Sequence, residues 1–313
     1  MLQFITKRTA TLLAAVAVSS FAVFLIPYVT PGDPVRKIIR SRVAGDAVDE
    51  SAVRGLAESL GLNDPLAAQY LRWLGDFFTG DMGLSFVSRT PVVEQVLPAL
   101  TVTLSLVAMS LGLAVAVALP LGIISGLRPG SLADKAITAV TQAFIAMPEY
   151  WVAPVLVLVF ALKLSVLPTA GWNDLSSAVL PALTLALRPI SFFTSAVRAG
   201  IIDAAGADHV AAARARGLSH AQSIVRHVIP NGLVPLSTLF AVWFAGLLGG
   251  SVIVEVIFAV PGMGRLLFDS VINSDIPLAQ GGVVVVVALA VGVTTLADFV
   301  HRFLSPTVGD SLA

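Results

Sequence analysis

The sequence predicts an all-α integral membrane protein with six transmembrane helices, on three observations. Only 12% of its 313 residues are charged and 57% are apolar, against roughly 25% charged in a soluble domain. The apolar residues gather into long charge-poor runs, and a helix needs about 20 such residues to cross a ~30 Å hydrocarbon core. Those runs are rich in Ala, Val and Leu and lack the period-2 alternation of a membrane barrel strand.

The spans follow in order from the gaps between charges. Ala10 to Val29 is the first clean run, Gln95 to Leu127 has no charge, and Ala136 to Leu162 carries only Glu149. Leu175 to Val197 carries only Arg188, while His227 to Val254 and Ile276 to Ala297 hold no Lys, Arg, Asp or Glu. The predicted spans are 10–29, 99–123, 137–162, 178–198, 231–256 and 281–301. The first run is longer than a signal-peptide core and no small-x-small site closes it, so it is expected to stay as a helix.

Charge sets the orientation. With the N-terminus inside, the cytoplasmic segments hold nine Lys or Arg and the two short outside loops, 163–177 and 257–280, only Lys163 and Arg265. Both termini are then cytoplasmic. Net charge 0 argues against a nucleic-acid partner, and the absence of cysteine removes disulfides, thiolate metal sites and cysteine nucleophiles.

Residues 30–98 form a long external segment with seven basic and nine acidic residues. Asp49 is a candidate cap for a helix presenting Ala52, Val53, Leu56 and Leu60, ended by Gly61. Pro65 opens a second helix through Gln69, Tyr70, Trp73 and Phe77, whose aromatic residues suit an interfacial position. The segment is either a cap packed on the bundle or a docking surface for an external partner, and the two are compatible.

The cytoplasmic segment 199–230 is the most informative. Asp208 is the expected cap of a short helix over 209–216, and Gly217 suits the left-handed position that ends it. Ser219 and Gln222 form a capping box for another helix, and Pro230 fits the first turn of the fifth span or a break before it. The first helix carries Ala211, Ala212, Ala213 and Ala215 beside Arg214 and Arg216. Small side chains allow close approach of another protein. An interfacial helix on lipid would want bulky apolar residues instead.

Glu149 and Arg188 are charges inside spans, where charge is costly. Either they pair or line the pathway, or each sits near an interface or subunit seam. Asp298, at the inner end of the sixth span, is expected to snorkel or to pair with Arg302 at i+4. The four histidines accompany no clustered carboxylates, so no metal site is expected. No P-loop, H-E-x-x-H or G-x-S-x-G motif occurs.

Ala211 to Gly217 followed by Pro230, thirteen residues on, resembles the cytoplasmic loop of bacterial ABC importer permeases. The stretch Asp208 to Leu218 is similar to the oligopeptide/dipeptide/nickel branch, with His209, Ala211, Ala212 and Arg216 departing from its usual residues. The resemblance extends along nearly the whole chain: Thr30-Pro-Gly-Asp-Pro-Val35, Gly61-Leu-Asn-Asp-Pro65, Gly80-Asp-Met-Gly-Leu-Ser85, Met147-Pro-Glu-Tyr-Trp151, Leu180-Pro-Ala-Leu-Thr184 and Gly250 to Phe258 before Pro261-Gly-Met-Gly264. It implies a type I ABC importer permease fold and a non-catalytic translocation subunit of the bacterial cytoplasmic membrane. Implied partners are a second homologous permease, two ATPase subunits and an external solute-binding protein. ATP and Mg would bind the ATPases, not this chain. Asp208, Ala211, Ala212, Ala213, Arg214, Arg216, Gly217 and Pro230 would form the coupling segment. The rival reading is a stand-alone secondary transporter or channel, which predicts inverted repeats that the sequence does not display.

Overall fold

A computed structural model describes residues 2–33, 35–38, 54–55, 57–58 and 61–304. The helix expected from Asp49 through Ala52, Val53, Leu56 and Leu60 lies outside the described residues. The side chains of Asp298 and Arg302 do as well.

The described helices are α1 (Leu2–Phe24), α2 (Leu66–Phe78), α3 (Val92–Leu127), α4 (Leu132–Ala146), α5 (Glu149–Leu156), α6 (Leu175–Ala205), α7 (Asp208–Ala215), α8 (His220–Gly250), α9 (Val252–Ile257), α10 (Met263–Ile272) and α11 (Ile276–Leu304). The long apolar runs at 8–29, in α3, in α6, in α8 and at 276–297 are each long enough to cross a membrane. Counted as one, the pair formed by α4 and by α5 with its π-helical continuation Val157–Lys163, bent by 102°, makes a sixth.

Several expectations need correction. The third span is not one straight helix over 137–162, because Pro148 follows Met147 and forces it to an extended backbone, φ −82° and ψ 120°. The helix of the second span runs on past 99–123 at both ends. The fifth does not stop at 256: it begins at His220, breaks at Ser251, and is followed by α9. The stretch 257–280, expected as a loop, contains α10.

The chain divides into two compact units, residues 1–103 with 261–292, and residues 104–260 with 293–313. In the first, Val92, Val96 and Ala99 pack with Met263 and Leu278. The Met263 amide donates to the Thr103 hydroxyl at 2.7 Å, and Gln280 donates to the Val23 carbonyl at 2.9 Å. Asp275, 1% exposed, accepts from the Ser85 hydroxyl and the Phe86 amide and so ties the 84–91 loop to the start of α11.

In the second unit α6 is the central element. Asp174 and Ser177 form a reciprocal capping box at its N-terminus. Hydrogen bonds from the Ser176 hydroxyl and the Ser177 amide hold the Asp174 carboxyl below the usual carboxylate range. Gly122 and Gly126, one turn apart on α3, let that helix approach α6 closely. A methyl at either would come within 2.6 Å of the Val197 Cβ or 2.7 Å of the Ile201 Cβ, so small residues are required there.

Candidate functional site: the 199–232 segment and the Glu149–Arg188 pair

The segment starts where α6 ends. The Gly206 amide bonds the carbonyls of Ile202 and Asp203, leaving Ala207 alone to adopt the extended cap conformation, φ −76° and ψ 144°. Asp208 is therefore not the cap. It occupies the first helical position, where its carboxylate faces the positive end of α7 without a capping hydrogen bond.

One face of α7 is locked inward. Val210 and Ala213, three residues apart, are 1% and 0% exposed. Val210 packs with Val197, Ile201, Ala204 and Val228. Ala213 thus faces the bundle and not outward, a correction to its expected place on the docking face. Ala211, Ala212, Ala215, Arg214 and Arg216 are exposed.

The glycine stop has the expected geometry. Gly217 has φ +93°; its amide bonds the Arg214 carbonyl at 2.9 Å and the Leu218 amide bonds the Ala213 carbonyl at 3.3 Å. This pair is a Schellman motif, which satisfies the last carbonyls of the helix. Arg214 then reaches across the turn to His220 Nδ1 at 2.9 Å.

Ser219 and Gln222 make the capping box, but the helix they open is the start of α8 itself, not a separate short helix. Pro230 lies inside this run. Proline lacks a donor and crowds the carbonyl four residues back. The turn before it widens accordingly: the Ile229 amide bonds the Ile224 carbonyl, five residues away. The Gly232 backbone is then so close to Gly200 on α6 that a Cβ at Gly200 would run into the Gly232 carbonyl.

Glu149 and Arg188 meet. Arg188 Nε lies 3.8 Å from Glu149 Oε1, and it is buried with no hydrogen-bond partner of its own. Glu149 opens α5, so its carboxylate also benefits from the helix N-terminus. Arg188 precedes Pro189 inside α6.

A separate buried cluster is not legible in the sequence. Asp134, 4% exposed, accepts from Arg198 Nε at 2.6 Å, Arg198 Nη2 at 2.9 Å, the Gly130 amide at 2.7 Å and the Ser125 hydroxyl. It ties α3, α4 and α6 together at one end. The available signal was an acid beside Lys135 at the edge of a span, where only the basic neighbour was counted. Among the described residues no group of three or more His, Cys, Asp or Glu is placed to hold a metal.

Comparison with known proteins follows from this geometry. Residues 118–310 match the family described as binding-protein-dependent transport system inner membrane component, and residues 1–107 match its N-terminal family. The chain is 31% identical over 306 residues to the metal-staphylopine import system permease protein CntB of Staphylococcus aureus, covering 98% of each chain. It is 31% identical over 319 residues to the oligopeptide transport system permease protein AppB of Bacillus subtilis, covering 98% of this chain and 99% of that one. It is 31% identical over 308 residues to the glutathione transport system permease protein GsiC of Escherichia coli, with the same coverage. Among solved structures, the MetNI methionine ABC transporter matches with TM-score 0.56 and 18% identity over 67% of this chain and 95% of that one. An amino acid ABC transporter matches with TM-score 0.54 and 16% identity over 67% and 94%. At these identities the structures speak to the fold alone.

Proposed function

The chain belongs to the family of binding-protein-dependent transport system inner membrane components, and on that premise we propose that it carries peptides or related small solutes and meets its ATPase through α7. It is a multi-pass inner-membrane permease subunit of an ABC importer with the type I fold. It works with ATPase and substrate-binding subunits, and ATP hydrolysis lies in the former.

The finer assignments are our reading. The assembly holds this chain, a second homologous permease, two ATPases that bind ATP and Mg, and an external binding protein. Both termini are cytoplasmic. The substrate class rests on relatives named for oligopeptides, glutathione and metal-staphylopine.

The observation that carries the coupling assignment is the division of α7 into two faces. Val210 anchors it to the ends of α3, α6 and α8, and Ala213 beside it is fully buried. The outward face is Ala211, Ala212 and Ala215, flanked by Arg214 and Arg216. Such a helix accepts a close partner surface and passes its displacement to three spans at once, as a lever between two states requires.

Purification of the tagged chain in mild detergent, with quantitative mass spectrometry of what accompanies it, tests this reading. One related permease and two ATPase equivalents are expected. A chain recovered without any ATPase in several detergents would support the stand-alone carrier.

A further inference from the structure

We propose that α2 is not a purely aqueous external helix but lies flat in the outer leaflet of the bilayer, with Leu71 and Phe78 in hydrocarbon.

Depth is the first argument. With the first apolar run, 8–29, leaving the membrane near Val29, Ser20 is nine residues below that boundary, about 14 Å at ~1.5 Å per residue. That is close to the midplane of a ~30 Å core. The Tyr70 hydroxyl of α2 lies 2.7 Å from the Ser20 hydroxyl and 3.3 Å from the Ala17 carbonyl. Its ring packs edge-on against Phe21 at 5.3 Å and against Phe24 at 5.6 Å between centroids, and Trp73 packs against Phe24 at 5.8 Å. The α11 register agrees with this depth scale: Gln280 bonds the Val23 carbonyl and is five residues from Asp275, about 8 Å below the start of that helix, while Val23 is six residues, about 9 Å, below Val29. A helix whose side chains bond and stack at these levels is within the leaflet.

The helical wheel is the second argument. At about 100° per residue, α2 divides into three sectors. Tyr70, Trp73 and Phe77 face α1. Gln69, Arg72 and Asp76 form a polar stripe at i, i+3 and i+7; Gln69 donates to the Leu62 and Asp64 carbonyls and Arg72 pairs with Asp64 at 2.7 Å. Opposite that stripe lie Leu71, Leu74 and Phe78, also at i, i+3 and i+7. Leu71 is 66% exposed and Phe78 77% exposed. Within the polar stripe Arg72 is exposed, Asp76 half-buried and Gln69 only 8% exposed, so the stripe turns as much to the protein as to water, and the reverse, apolar sector with aromatic residues beside it is the one suited to lipid. The exposed apolar stripe also continues that of α1, where Val18 and Phe21 are exposed at the level to which Tyr70 reaches.

The chain has no cysteine, so Leu71→Cys, Phe78→Cys and the loop control Val87→Cys each place one probe on it. The full-length chain, with the subunits that co-purify, is labelled with bimane in nanodiscs and read against the unsubstituted complex. Lipids nitroxide-labelled near the top of the acyl chain should quench both α2 probes several-fold more than they quench the Val87→Cys probe, and iodide should do the reverse. Strong iodide quenching at positions 71 and 78 would make α2 an aqueous surface. Protection from both quenchers would mean that a protein partner covers it. Either result overturns the proposal.

Discussion

Asp134 accepts four hydrogen bonds, three of them from Arg198 and the Gly130 amide and the fourth from Ser125. A buried charge that loses its partner costs far more than an exposed one. Asp134→Asn is therefore expected to lower the thermal midpoint of the detergent-solubilised protein more than Ser125→Ala, which leaves the guanidinium pair intact. Equal midpoints would remove the cluster as a structural clasp. The Glu149–Arg188 pair makes a different prediction, because Arg188 Nε lies 3.8 Å from the Glu149 carboxylate and has no hydrogen-bond partner among the described residues. Glu149→Arg and Arg188→Glu should each abolish most transport, and the double swap should restore a substantial part. Absence of rescue in a correctly inserted double variant would show that the two act separately. Gly200 is the third case. A methyl there meets the Gly232 carbonyl, and overpacking of this kind costs typically 1–3 kcal/mol, so Gly200→Ala should reduce stability whereas Gly246→Ala, which meets nothing within 4 Å, should not.

At the scale of the element, α7 separates folding from docking on one helix. Ala212 is exposed and Ala213 is fully buried. Ala213→Glu places an unpaired charge at a fully buried position and should prevent a folded permease from accumulating. Ala212→Glu should leave the permease folded and inserted but weaken its retention of the ATPase, measured by co-purification. Unchanged retention would reject Ala212 as an interface residue. Gly217 terminates the same helix at φ +93° with open space around it, so the strain of Gly217→Val is in the backbone and not in packing. That variant should assemble yet hydrolyse ATP without matching substrate uptake. Normal uptake would sink the coupling role.

Across the whole molecule, six spans by length and composition are legible because a bilayer demands long uncharged runs. Orientation rests on the Lys and Arg distribution alone and is open to direct test. Alkaline phosphatase fused after Ala313 should be inactive, and fused within the 79–91 loop should be active. The reverse pattern would invert the topology. The ordered motifs along the chain point to a permease of binding-protein-dependent transport, and residues 118–310 and 1–107 match that family.

The sequence by itself determined the helical class, the span count, the glycine stop at 217 and the capping box at Ser219, because each follows from local backbone chemistry or from the bilayer's demand for apolar length. The close-approach glycines Gly122 and Gly126 stand in a G-x-x-x-G pattern that was also readable, although nothing in the sequence says that α6 is what they meet. Tertiary structure decided the rest. It settled that Ala213 is buried while Ala212 is not, that Glu149 finds Arg188, that Asp134 finds Arg198 sixty-four residues away, and that the turn before Pro230 widens. In these cases the partner is remote in sequence or the register depends on neighbouring helices, and an apolar run fixes how far a helix extends but not which of its faces meets another.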